Sequence, residues 1–96
     1  MKLHFSRAAL HDLIRLREFI AEHNPDAAGR ISKRLRGSIK GILDAPQIGR
    51  LVEDIDAEVR EMVFGRYVVR YEILGNNLYI LRIWHGKENR KVCAWH

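Results

Sequence analysis

The chain predicts an α+β fold: an N-terminal strand, an antiparallel helical hairpin and a three-stranded antiparallel meander, with the helices packed on one face of the sheet. Three observations carry that expectation. Two apolar stripes at helical spacing succeed one another between Ala9 and Ile42, three strand-like runs lie between Val59 and His85, and Gly-containing turn signals separate those runs.

In chain order, Lys2 to Phe5 reads as a short edge strand and Ser6 as the N-cap of the next segment, because its hydroxyl oxygen can accept from a first-turn amide. Ala9, Leu13, Leu16 and Ile20 recur at i, i+4, i+7 and i+11 with Phe19 alongside, while Arg7, Asp12, Arg15 and Glu22 fall mostly elsewhere. The pattern predicts an amphipathic helix to about Glu22. Asn24-Pro25 restarts the chain: the Asn side chain is expected to accept from an amide of the next turn, and Pro at a first helical position loses no hydrogen bond. Ala28, Ile31, Leu35, Ile39 and Ile42 form the second stripe, ending near Ala45-Pro46. A link of one or two residues implies an antiparallel pair.

The second helix carries Arg30, Lys33, Arg34, Arg36 and Lys40, which read either as a phosphate grip or, given their spread around the helix, as a solvated face. Gly29, Gly37 and Gly41 each cost about 1 kcal/mol of helix propensity relative to Ala. Close approach to the first helix or to a partner would account for them. Gln47 to Ala57 reads as a loop, where Glu53, Asp54 and Asp56 begin a concentration of acid that continues through Glu58 and Glu61.

Gly65-Arg66 suits a two-residue type II′ hairpin, which needs Gly at its first central position. Phe64 then pairs with Tyr67, Met62 with Val69 and Arg60 with Tyr71 on one face. Val63 pairs with Val68 and Glu61 with Arg70 on the other, the last a cross-strand ion pair of about 0.2–1 kcal/mol. Reading Gly75-Asn76-Asn77 as a three-residue loop sets Val69 beside Ile83 and Tyr71 beside Leu81 under the helices. It leaves Val68 beside Trp84 and Arg70 beside Arg82 on the outer face.

Ninety-six residues, 47% of them hydrophobic, fit one domain over 1–96, able to bury roughly 60–65% of its unfolded surface. Seventeen Lys and Arg against twelve Asp and Glu leave a formal charge of +5, which draws a chain to polyanions or acidic proteins and also serves plain solubility. A single cysteine, Cys93, cannot form an intramolecular disulfide, and no run of about 20 apolar residues or leader-like segment is present. These features point to a reducing, cytoplasmic setting without a membrane.

The order and spacing of Ala9-x3-Leu13, Asn24-Pro25-x-Ala27-Ala28, Pro46-x-x-Gly49-Arg50, Val59-Arg60-Glu61, Tyr67-x3-Tyr71 and Leu81-Arg82-Ile83-x-His85-Gly86 resemble the ParE branch of the RelE/ParE toxin superfamily over nearly the whole chain. The resemblance implies the toxin half of a type II toxin–antitoxin system, a class tied to plasmid stabilisation. It further implies a small ParD-like antitoxin whose acidic segment wraps the toxin, in a hetero-oligomeric complex that binds operator DNA through the antitoxin.

Two poisons compete. The ParE branch implies inhibition of DNA gyrase by a binding surface, with no catalytic residues and no cofactor. The RelE branch implies ribosome-dependent mRNA cleavage by a metal-independent endoribonuclease, which needs a base for the 2′-hydroxyl, cations for the phosphorane and an acid for the leaving oxygen. RelE-like sequences carry Arg directly after the Tyr that opens the third strand of the sheet, here Tyr67, where Val68 stands. They carry a second Arg after Gly-Lys, where Glu88 stands with Arg90 nearby, and a C-terminal Tyr where Ala94 stands. Those departures favour the gyrase inhibitor.

The residues expected to meet antitoxin or target are Arg60, Glu61, Val68, Arg70, Arg82, Trp84, His85, Lys87 and Arg90. Arg60 reads equally as a packed stem with its guanidinium at the sheet edge, His85 as a packed histidine before a general base, and Lys87, Arg90 and Lys91 as an acid-binding cluster or a solvated tail. His96 is a second candidate base at a chain terminus. Tyr67 and Tyr71 read as core residues with bonded hydroxyls before stacking platforms. His4, His11 and His23 lack ligand spacing with Cys93, so no metal site is expected. Val63, Val68 and Trp84 would form an exposed outer strip beside Arg70 and Arg82, where an antitoxin strand or helix is expected, the helical hairpin groove being the competing dock.

Overall fold

The structure is a computed structural model that describes residues 1–85. Cys93, Lys87, Arg90, Lys91 and His96 therefore lie outside the described residues. Strand β1 (Lys2–Phe5) leads through Ser6 into α1 (Arg7–His23), and α2 (Ala28–Asp44) follows. The chain then forms the two-residue strand β2 (Arg50–Leu51) and the meander β3 (Val59–Phe64), β4 (Tyr67–Leu74) and β5 (Asn77–His85). The sheet order is β1-β5-β4-β3-β2, with β1 parallel to β5 and the other pairs antiparallel.

Ser6 caps α1 as its sequence position predicts: its Oγ accepts from the Ala9 amide at 2.9 Å and donates to the Leu81 carbonyl at 2.7 Å. The second cap differs from expectation. A 3-10 turn, Pro25–Ala27, intervenes before α2, and no side chain caps that helix. Asn24 instead closes α1, its backbone amide bonding the Ile20 carbonyl at 2.7 Å. The two helices are thus linked by residues 24–27, longer than the one or two residues the Asn-Pro signal suggested.

The apolar stripes meet the sheet. Ala9, Leu16, Leu35, Ile39 and Ile42 pack against Val69, Tyr71, Leu78, Ile80 and Ile83, so the core lies between the helical layer and one sheet face. Burying each large aliphatic side chain contributes on the order of 1.5–3 kcal/mol. The helical glycines need another account than the expected close approach to α1, since a Cβ at Gly29, Gly37 or Gly41 meets nothing within 4 Å. Gly49 is the position that does require glycine: an added Cβ would lie 2.6 Å from the Tyr71 hydroxyl and 2.9 Å from the Glu61 carbonyl oxygen.

The β3–β4 register is as the turn predicts, from Phe64↔Tyr67 to Arg60↔Tyr71, with Gly65 at φ +56°. The second hairpin differs. Its loop is the two-residue Gly75-Asn76, with Leu74 opposite Asn77, and Tyr71 faces Ile80 instead of Leu81. A bulge between Arg70 and Tyr71 absorbs the extra residue at Leu81, so Val69↔Ile83, Arg70↔Arg82 and Val68↔Trp84 hold beyond it. The loop read from Gln47 to Ala57 likewise contains a strand: β2 pairs Arg50 with Glu61 and Leu51 with Arg60, covering part of the β3 edge.

Candidate functional site

Beyond Phe5 the outer edge of β5 has no neighbouring strand among the described residues, and α1 takes over that edge. The Asp12 carboxylate accepts from the Ile83 amide at 2.8 Å, and Arg15 donates to the Ile83 carbonyl at 3.2 Å. Two helical side chains thereby satisfy the backbone groups a further strand would have bonded. The same carboxylate receives Arg82 through Nε at 2.8 Å and Nη2 at 3.0 Å, and Arg15 Nη1 at 2.7 Å. Asp12 is only 1% exposed, contrary to its expected place off the apolar face. Its spacing held the signal: three residues after Ala9 and four before Leu16, it falls within the stripe itself.

The outer face is similarly committed. One Glu61 carboxylate oxygen accepts from Arg70 Nε at 2.9 Å and Nη2 at 2.6 Å, the cross-strand pair that the register predicts. The guanidinium so fixed lies over Trp84, 5.6 Å from the ring centre, a cation–π contact. Val68 and Trp84 are 6% and 2% exposed, which corrects the expected exposed strip; of its three members only Val63, 66% exposed, faces solvent. The Glu61-anchored arginine laid across the indole helps remove it from water. An outer-face depression of about 490 Å³ survives nearby, where Ile55, Val59 and Leu81 adjoin Arg70 and Arg82.

Arg60 and the tyrosines serve the frame. Arg60 donates to the Gly49 carbonyl at 2.8 Å and pairs with Glu58 at 3.0 Å, holding the loop end against β3. Tyr71 is fully buried; its hydroxyl donates to the Pro46 carbonyl at 2.6 Å and accepts from the Gly49 amide at 2.9 Å. Burial raises its pKa from 10.0, against the lowering effect of the Gly49 hydrogen bond and of Arg60. His85, 7% exposed, is edge-on to Tyr67 at 4.9 Å and tilted toward Phe19 at 5.6 Å, as a packed histidine should be.

The open, charged surface lies on the helical side. Leu13, Leu16 and Ile20 of α1 and Ile31 and Leu35 of α2 line a cleft of about 220 Å³, with Tyr67 beneath and the exposed Arg17 and Arg36 at its sides. It adjoins a second cavity, of about 300 Å³, through Ile31 and Tyr67. Burial raises the Tyr67 pKa from 10.0, Arg34 opposing. Among the described residues no salt bridge engages Arg17, Arg34, Arg36 or Arg66, and no cluster of three or more metal-ligating side chains occurs. No described helix is long and apolar enough to cross a membrane.

An edge-sealed mixed sheet under a helical hairpin, with an apolar, basic-sided cleft between the helices, is the frame these residues build. The family model described as the ParE toxin of the type II toxin–antitoxin system parDE matches residues 3–90, and the chain belongs to that family. Two curated relatives come from Caulobacter vibrioides. Toxin RelE1 is 37% identical over 84 residues, covering 85% of this chain and 89% of its own length, and toxin RelE2 is 36% identical over 79 residues, covering 81% and 86%. The solved structure titled chromosomal ParDE TA system from P. aeruginosa superposes with a TM-score of 0.75 at 19% identity, covering 88% of this chain and 95% of that one, and shows the shared fold.

Proposed function

We propose that this toxin acts by binding, as an inhibitor of DNA gyrase, and that an acidic amphipathic antitoxin segment neutralises it by occupying the cleft between α1 and α2. The observation that carries the non-catalytic reading is the state of its sheet arginines. Arg70 is bound by Glu61, Arg82 by Asp12 and Arg60 by Glu58, so none is poised as a free cation for a transferring phosphate. Val68, where ribonuclease relatives carry a cation, is buried and apolar. The cleft suits an acidic helix: an apolar floor receives the partner's apolar face, and Arg17 and Arg36 meet its carboxylates.

The endoribonuclease remains the second reading, favoured by the RelE names of both curated relatives. Purified toxin incubated with gyrase and relaxed plasmid, and separately with translating ribosomes, separates the two. Loss of supercoiling with intact mRNA is expected; undiminished supercoiling with mRNA cleaved at codon positions would overturn the proposal.

A further inference from the structure

The cavity beside the cleft has its own chemistry. Arg34 reaches over from α2, its guanidinium 3.8 Å from the site of a Cβ at Gly65, while Arg66 stands in the β3–β4 turn. Between them Phe64 and Tyr67 are stacked, ring centres 5.5 Å apart and planes 20° off parallel, and both rings line the cavity. None of the described residues that line it is acidic. Two cations from separate elements thus flank a half-buried aromatic pair, in a volume of about 300 Å³. That is at the small end of the roughly 300–1,000 Å³ range of ligand pockets.

We infer that this cavity binds one nucleotide of a single-stranded nucleic acid, its phosphate between Arg34 and Arg66 and its base against the Phe64–Tyr67 pair. Paired cations and aromatic faces are the two elements such binding combines, one tracking the backbone and the other stacking a base. An acidic peptide would engage the guanidiniums and leave the aromatic faces without a planar partner. The Tyr67 hydroxyl, a phenol protonated at neutral pH, adds no charge against a phosphate. Both arginines are exposed, so a strand can enter and leave across the turn. Because Ile31 and Tyr67 also border the cleft, an antitoxin filling the cleft would exclude the strand. The inference does not depend on gyrase being the target, and the supercoiling assay and an oligonucleotide titration fail separately.

The test is fluorescence anisotropy of the full-length chain with labelled thymidine and uridine oligonucleotides across a salt series, with an acidic peptide as competitor. The Arg34→Gln/Arg66→Gln variant should bind about tenfold more weakly or worse, with the slope of log K against log salt reduced by about 0.7, for the one phosphate no longer neutralised. Phe64→Leu should weaken binding by about fivefold or more through lost stacking while leaving the slope unchanged. Relative affinity for the two oligonucleotides then assigns DNA or RNA. The matched control is Arg30→Gln/Lys33→Gln, which removes the same charge from exposed positions on α2. Equal loss in that control, an unchanged slope in the cavity variant, or equally tight binding of the acidic peptide that is lost in Arg34→Gln/Arg66→Gln and kept in Phe64→Leu would overturn the inference; thermal unfolding confirms that each variant is folded.

Discussion

The outer sheet face and the helical cleft both carry arginines beside apolar side chains, yet they differ in what the arginines meet. On the sheet, Arg70, Arg82 and Arg60 each find a carboxylate and a fixed geometry. At the cleft and its neighbouring cavity, Arg17, Arg36, Arg34 and Arg66 have no salt bridge among the described residues. Charge alone therefore says little about function. A guanidinium already committed to a buried carboxylate holds the fold, and one left at the rim of an apolar groove is available to a partner.

The largest effect separating the regions should come from Asp12. Asp12→Ala would remove the buried carboxylate from Arg82 and Arg15 and leave the Ile83 amide without its acceptor, costing about 3–5 kcal/mol in denaturant unfolding. Trp84→Ala should cost a similar 3–5 kcal/mol, because the indole is packed; a loss of antitoxin affinity at unchanged stability would instead restore the outer face as an interface.

Tyr71→Phe comes next, at about 1–3 kcal/mol, since the Gly49 amide and the Pro46 carbonyl both lose their partner. Its pH dependence has a definite sign. Burial raises the folded-state pKa of Tyr71 above 10.0, so the folded chain holds that proton more tightly than the unfolded chain. The tyrosine's contribution is fully present below about pH 10 and falls as pH rises through the folded value. The stability gap between wild type and Tyr71→Phe should therefore narrow in alkaline unfolding titrations.

Much of this division was legible in the sequence. Ser6, the two apolar stripes and Gly65-Arg66 each predict their element by local chemistry, and the Glu61–Arg70 pair follows from the hairpin register. The illegible parts were non-local. The bulge at Leu81 lies where the β1–α1 junction meets β5, Ser6 bonding the Ile80 and Leu81 carbonyls, and β2 is too short to show alternation. Trp84 looked exposed because strand periodicity assigns a face without saying what lies across it. The burial of Asp12 is not legible because a carboxylate in an apolar stripe is improbable until an arginine and a bare strand edge are brought to it.

A smaller effect sharpens the cleft side. Gly37 is exposed on α2 with no atom within 4 Å of a Cβ, so Gly37→Ala should stabilise the toxin by up to about 1 kcal/mol in thermal or chemical unfolding. Weakened antitoxin binding in that variant would show that a partner, not α1, makes the close approach.

The most direct test of the cleft as the binding surface is calorimetric titration of the cognate antitoxin into Arg17→Glu/Arg36→Glu toxin. Affinity should fall by about tenfold or more while the unfolding midpoint stays at the wild-type value, because neither arginine is tied into the fold. Wild-type affinity in that variant would contradict the account and return the antitoxin to the outer sheet face.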